Sequence, residues 1–325
     1  MQHFDAAATR APLGFERLVP ALREAFAGHA EVPPRHVHTL AAPGAPGTAQ
    51  GTVLIMPAWS EAGFLGIKTI NIFPGNSARG LPGLHATYVL YDAATGVPLA
   101  LMDGNELTAH RTAAASALGA HFLARRDARR LLVLGSGRVA RLLPAAHASV
   151  RAIDEIRVWN HRPEGARELA AQWRAEGLPA TAAVDLEAAV RAADIVSCAT
   201  LSHTPLVQGD WLAAGSHLDL IGSFTPAMRE AAPDCFAQAS TFVDTDEAPR
   251  KAGDLLDAFA AGTLAPNGIA ADLHQLCRGQ HPGRRHEDER TVFKAVGSAL
   301  EDLVAATLVW RAAGAPAPDA ASPRP

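Results

Sequence analysis

Three groups of residues in this chain have types and spacings suited to chemistry. The first is Gly135-Ser136-Gly137-Arg138-Val139-Ala140, between the strand-like "RLLVL" and a helical pattern. Gly135 permits a tight turn there, Gly137 lets a pyrophosphate approach the backbone, and Ala140 keeps the helix against its strand. The helix N-terminus offers free N–H groups and a positive dipole end to phosphates. The loop therefore predicts a dinucleotide site. The following strand ends "VWNHRPEGAR". An NAD site usually places Asp or Glu at that point to accept from the ribose 2′-hydroxyl. Here Asn160 is neutral, and His161 and Arg162 follow. An acid would repel a 2′-phosphate, whereas Arg can pair with it through charge-assisted hydrogen bonds worth about 1.5–3 kcal/mol. The cofactor expected is NADP(H).

The second group is a pair of cations outside the nucleotide segment. Lys68 lies in "LGIKTINIF" among apolar residues, and Arg111 lies in "LTAHRTAAAS" among small ones. Such placements need an anionic partner. Two readings stand side by side: anchors for a substrate carboxylate, with Arg111 giving a bidentate grip, or structural ion pairs. Arg35 in "PPRHVH" is a third anion-binding candidate or a loop cation; His85 is a candidate proton donor or a structural histidine. The third group is "DLIGSFTPAMRE" (219–230), a buried strand stopping at Gly222. Catalytic groups of α/β sheets stand at such strand ends. No ionisable side chain, however, lies between Asp219 and Arg229. No metal constellation is evident, and no Ser or Cys has the setting of a nucleophile.

The elements that must position these groups divide the chain. Residues 1–29 read as helical, with Leu18, Leu22 and Phe26 at helical spacing. "AAPGAPGTAQG" (41–51) reads as a small-residue loop, and "TVLIMPAW" (52–59), "LGIKTINIF" (65–73) and "HATYVLYD" (85–92) as strands, the last two separated by the polar turn 74–83. A long Ala-rich helix begins near Glu106. Strands at 130–135, 155–160, 193–200, 217–222 and 241–245 then alternate with helices, which implies a parallel doubly wound sheet. The expected class is α/β: a Rossmann domain (119–287) plus an N-terminal, mainly antiparallel sheet domain (1–118). A last helix at about 288–312 completes the N-terminal domain, after a solvated charge run at 277–290. The Pro/Ala-rich tail, 313–325, is expected to be disordered.

With 325 residues, 48% hydrophobic and 19% charged, the composition is that of a folded soluble enzyme. The net charge of −4 gives no electrostatic footprint for nucleic acid or an anionic membrane. Cys198, Cys235 and Cys277 are odd in number and lack metal-ligand spacing, which suits a reducing compartment. The first residues carry Asp, Arg and Glu where a signal peptide needs an apolar core. No apolar run approaches a membrane span. A cytoplasmic location is expected.

"IMPAW", "GIKTINIFPGNSARGLPG", "DGNELTAHRTAAASALGA", "VLGSGRVA", "ADIVSCAT", "DTDEAPRKAGDL" and "TVFKAVGSALED" together resemble the ornithine cyclodeaminase/mu-crystallin family over nearly the whole chain. The resemblance implies an N-terminal domain that dimerises and holds substrate, a homodimer, and a substrate carboxylate bound by Lys68 and Arg111 with Arg35. It also implies that Phe293, Lys294 and Gly297 lie near the nicotinamide, with Cys198, Ala199, Thr200 and Gly222 bordering the cofactor. Ornithine cyclodeaminases have an Asp where this chain has Phe224, an acidic residue close before "MP" where it has Leu54, and an Asp ending the second Rossmann strand where it has Asn160. "GSFTPAMRE" instead resembles the cyclic ketimine reductases of the family. These reduce Δ1-pyrroline-2-carboxylate to L-proline and Δ1-piperideine-2-carboxylate to L-pipecolate with NADPH. A preformed C=N bond accepts hydride with no acid to expel ammonia, and Phe224 could pack against the ring. The alternatives are another imine or amino acid dehydrogenase, the NAD-dependent cyclodeaminase itself, and a non-enzymatic NADPH-dependent binding protein for small ligands.

Overall fold

Period-two burial along a nine-residue strand sets the frame of the first sheet. In Phe64–Ile72 the residues Phe64, Gly66, Lys68 and Ile70 are buried, and those between them are only partly covered. The computed structural model describes residues 1–314, so the tail expected to be disordered lies outside them from residue 315 on. The strands of the first sheet are β1 (Gln2–Phe4), β2 (Ala30–Glu31), β3 (His36–Ala42), β4 (Ala45–Ser60), β5 (Phe64–Ile72), β6 (Leu84–Asp92) and β7 (Pro98–Asp103). Their order is β1-β7-β6-β5-β4-β2, with β3 also on β4. Every pairing is antiparallel except the short β1–β7 contact.

Some expectations for this part do not hold. Residues 41–51 form a hairpin, not a loop: β3 runs to Ala42 and β4 starts at Ala45, with Gly44 in the left-handed region (φ +75°) between them. Small residues are compatible with a strand where the turn is tight. The N-terminal stretch is not all helix either. Residues 2–4 pair with β7, and helices occupy Ala6–Arg10 and Phe15–Ala27.

The second sheet holds β8 (Arg130–Leu134), β9 (Glu155–Trp159), β10 (Ala180–Ala182), β11 (Ile195–Cys198), β12 (His217–Leu220), β13 (Ala239–Val243), β14 (Ile269–Asp272) and β15 (Arg290–Lys294). Its order is β10-β9-β8-β11-β12-β15-β13-β14, and all its pairings are parallel. This is the doubly wound α/β arrangement. The order reverses between β8 and β11, the switch point outside which such sheets bind ligands.

The expected last helix, 288–312, is a strand followed by a helix. β15 lies between β12 and β13 with Thr291–Lys294 buried, and the helix is Ala299–Ala312. "TVFK" is a short run buried on both faces, and periodicity alone does not separate such a strand from a buried helix. The 277–290 run leads into that strand and is not simply solvated. Arg284 in it donates to the carbonyls of Leu123 (2.7 Å) and Ser216 (3.2 Å).

The chain divides into two compact units: Met1–Ala21, Gly28–Arg111 and Ser298 onward in one, Leu22–Ala27 and Thr112–Gly297 in the other. The division falls inside the Ala-rich helix (Gly104–Leu123), whose N-terminus is capped by Asp103 accepting from the N–H groups of Asn105 and Glu106. In the first unit the last helix packs on β4, β5 and β6.

In the second unit Gly119, mid-helix, lies against Phe293 of β15: a Cβ at Gly119 would come within 2.7 Å of the ring. Helix propensity alone would have Gly119→Ala stabilise by about 1 kcal/mol. The expected result is a net loss of about 1–3 kcal/mol from overpacking, read from urea unfolding.

Candidate active site

The cation pair of the first unit rests on a straight row of side chains. Met56, Lys68, Tyr88 and Met102 are direct partners across β4, β5, β6 and β7 and so share one face of the sheet. Lys68 is wholly buried there. Its Nζ lies 2.5 Å from Asp302 Oδ2 and donates to Thr108 Oγ1 at 3.3 Å. Arg111, seven residues into the Ala-rich helix after Gly104, donates through Nη1 to Glu301 (2.7 Å) and through Nε to Asp302 (3.0 Å). Two cations and two carboxylates thus form one buried quartet. Burial pulls the Lys68 pKa down to about 8, against the attraction of Asp302, and Arg111 lowers it further. Burial also works against the Arg111 charge, but Asp302 and Glu301 outweigh it and hold its pKa above the usual value.

Both cations are therefore ion-paired with carboxylates of the chain itself. Nε and Nη1 of Arg111 are engaged by Asp302 and Glu301, and Nη2 makes no hydrogen bond among the described residues. Arg35 immediately precedes β3, whose first residue pairs with Ile55, beside the Lys68 row. His85 is not brought to this group. It faces Asn71, is exposed, and stands on the opposite face of the sheet from Lys68.

Glu301 and Asp302 were not singled out from the sequence. The signal was present: two adjacent acids in "SALEDLVAATLVW", a helix apolar on nearly all sides. "SALE" reads instead as a capping box. In the structure Ser298 Oγ accepts only from the N–H of Leu300, and Glu301 turns to Arg111.

In the second unit the loop after β8 sits at the switch point. Gly135 has φ +106° and its N–H donates to Trp159 O (2.8 Å); a Cβ would lie 2.7 Å from Ala199 O. A Cβ on Gly137 would meet nothing within 4 Å, which is the open approach a pyrophosphate needs. Val139 leads into a 3-10 turn, Ala140–Leu142, and only then a short helix, Leu143–Ala148. Pro144 has no N–H for the Ala140 carbonyl, so Leu143 closes a tighter turn on it. Asn160, after β9, donates to Ser136 Oγ (3.0 Å) and faces His161 Nδ1 (3.1 Å). Arg138, His161 and Arg162 are exposed, and neither arginine has an ion pair among the described residues. These features fit a dinucleotide, and the three residues after β9 are Asn160, His161 and Arg162.

The ends of β11 and β12 carry the correction of most consequence. That edge is not without acids. Glu230, the last residue of "GSFTPAMRE", folds back wholly buried: Oε1 accepts from Thr200 N (2.6 Å) and Oγ1 (2.8 Å), and Oε2 from Gly222 N (2.8 Å) and Ser223 N (3.2 Å). Burial pushes its pKa up to about 7. Asp254 accepts from the N–H groups of Glu230 (2.7 Å) and Ala231 (3.0 Å) and from Ser223 Oγ, and lies 3.2 Å from Lys294 Nζ. Asp244 accepts from Val296 N (2.8 Å) and Gly297 N (2.7 Å). Each acid is committed to holding a strand end.

Other expected cofactor neighbours are turned inward. The Cys198 thiol is buried in the core, which also raises its pKa, so only its backbone is at the edge. Phe293 and Lys294 are fully buried, the one on Gly119 and the other on Ser223 and Asp254. Phe224 packs against the core of the second unit. Deeper in that unit, Asp219 accepts from Ser116 and Ser197 (2.5 Å each), and Ser116 Oγ also meets His147 Nε2 at 3.1 Å. Burial moves Asp219 up to about 6 and His147 down to about 3. This Ser-His-Asp cluster is enclosed in the core.

Among the described residues no His, Cys, Asp or Glu cluster could hold a metal ion, and no helix is long and apolar enough to cross a membrane. The profile of the ornithine cyclodeaminase/mu-crystallin family matches residues 10–315. The chain belongs to that family. A Δ1-pyrroline-2-carboxylate reductase of Paracoccus denitrificans is 39% identical over 82% of this chain and 84% of its own length. The rat ketimine reductase mu-crystallin is 33% identical over 80% of each chain. The solved structure of the Thermococcus litoralis Δ1-pyrroline-2-carboxylate reductase, in complex with NADH and L-proline, superposes with a TM-score of 0.90 at 29% identity, covering 96% of this chain and 97% of that one.

Glu230→Gln keeps the shape of the side chain but sets an NH2 group against backbone donors. We expect a loss of about 2–4 kcal/mol from the unmet donors, measured by chemical denaturation of the purified protein.

Proposed function

We propose that this oxidoreductase reduces cyclic imino acids with NADPH, Δ1-pyrroline-2-carboxylate to L-proline and Δ1-piperideine-2-carboxylate to L-pipecolate. The observation that carries the reading is the state of the acids at the β11–β12 edge. Glu230 is held by four donors and Asp254 by three plus Lys294. Phe224 takes the place of the cyclodeaminases' Asp. Expelling ammonia needs a free acid or base, whereas hydride addition to an existing iminium carbon needs neither. The names of the Paracoccus, rat and Thermococcus relatives support the same reaction class.

NADPH, when bound, supplies the hydride. The protein's part is binding and orientation. Lys68 and Arg111, with Arg35 beside their row, hold the substrate carboxylate, with Arg111 Nη2 the nitrogen left for it. The Gly135–Ala140 loop receives the pyrophosphate, and Arg162 with Arg138 the 2′-phosphate. Near-attack placement, with the reacting atoms roughly 3–3.5 Å apart, then provides most of the acceleration.

NADPH oxidation with each imine, and chiral analysis for L-proline and L-pipecolate, tests the reading directly. Ammonia from L-ornithine with NAD, and no imine reduction, would replace it with the lyase. Arg162→Asp should lower kcat/KM for NADPH by about one to two decades while changing NADH use little, the equivalent of a charge-assisted bond. Equal losses with both cofactors would remove the 2′-phosphate assignment. Lys68→Ala and Arg111→Ala should raise KM for the imino acid at least tenfold.

A further inference from the structure

One side chain touches both cations of the first unit. Asp302 reaches Lys68 through Oδ2 (2.5 Å) and Arg111 through Oδ1 (3.0 Å). Glu301 bonds Arg111 and Thr108 bonds Lys68, but among the described residues only Asp302 pairs with the two together. Thr108 meets the ammonium with an oxygen lone pair, because its own hydroxyl proton goes to the Gly104 carbonyl at 2.7 Å. Tyr88 faces Lys68 from β6, and burial together with the Asp302 charge holds its hydroxyl neutral. The groups around the ammonium are thus Asp302 and Glu301 from the last helix, Arg111 and Thr108 from the Ala-rich helix, and Tyr88 from the sheet.

Two buried cations repel strongly in a low dielectric. A planar carboxylate set between them cancels that repulsion and fixes their separation. Asp302 is well placed for this, in the first turns of a helix whose N-terminal end favours negative charge. Its helix packs directly on the strand that carries Lys68.

We propose that Asp302 is the positioning residue of the substrate-binding cations: it locks Lys68 and Arg111 into one rigid clamp for the carboxylate. The inference rests on the reading of those cations as substrate anchors. It gives Asp302 an effect that a packing residue would lack. Lys68 loses its proton as pH rises through about 8, and Asp302 is the strongest influence keeping it charged there. In the wild type, kcat/KM for the imine should decline along a basic limb near that value. In Asp302→Asn the counter-charge is gone while Arg111 still repels, so the limb should move to lower pH. KM for the imine should rise at least tenfold, with NADPH affinity, followed by fluorescence titration, unchanged within twofold. Glu301→Gln, which keeps the Lys68 contact, should raise KM but leave the limb within a few tenths of a pH unit.

Asp302→Asn leaves a buried positive charge uncompensated and can fail to fold. The charge-balanced Lys68→Met/Asp302→Asn variant covers that case: its KM for the imine should lie within about threefold of that of Lys68→Met alone, because there is no second cation left to position. A folded Asp302→Asn enzyme with wild-type KM and pH profile, or a double variant whose KM rises a further tenfold or more above that of Lys68→Met, would overturn the proposal. If the wild type turns over neither imine, the functional reading falls first. An NMR titration of labelled Lys68 in wild type and Asp302→Asn then decides separately whether Asp302 governs the pair, an unmoved titration sinking the proposal.

Discussion

An ammonium buried in the face of a β-sheet must be met by a carboxylate, and in this protein that requirement shapes the whole first unit. Lys68 is wholly enclosed, and hydrogen bonds to a threonine alone would leave its charge uncompensated at a cost of several kcal/mol. The answer is Asp302, on a helix packed over the same strands. The same carboxylate takes Nε of Arg111, and Glu301 takes its Nη1. An apolar helix, a sheet face and the start of the Ala-rich helix are tied together by one charge-neutral quartet.

A comparable logic operates in the second unit. Parallel strands leave their carboxyl ends and the following loops in need of partners. Glu230 supplies them for β11 and β12, Asp254 for the turn at Ser223, and Asp244 for the turn after β15. Gly222 fits because a Cβ there would collide with Thr200 and with the Glu230 carboxylate. Acids that look, in sequence, remote from the strand end are the ones that shape it.

Much of this was legible in the residues alone. The doubly wound sheet followed from strands alternating with helix-length segments, and the dinucleotide loop from Gly135 and Gly137 in a strand–turn context. Lys68 and Arg111 stood out because charge among apolar residues is costly. What was hidden depends on contacts distant in sequence. Glu301 and Asp302 meet Arg111 across 190 and 191 residues of sequence. Glu230 lay eight residues past a glycine and folds back over it. β15 is hidden because a run buried on both faces has no period to separate strand from helix. His85 sat in the right strand but on the wrong face, a distinction that only register decides.

The quartet also bears on how the chain acquires its structure during synthesis. Its cations lie within the first 111 residues to be translated, whereas both carboxylates lie in the last helix. The nucleotide-binding unit, made in between and nearly continuous in sequence, ends at Gly297, before that helix begins. It can close on itself while the N-terminal sheet still waits for its counter-charges. The unit that is translated first is therefore the one completed last, and the nascent sheet must be kept from wrong pairing until the final helix arrives.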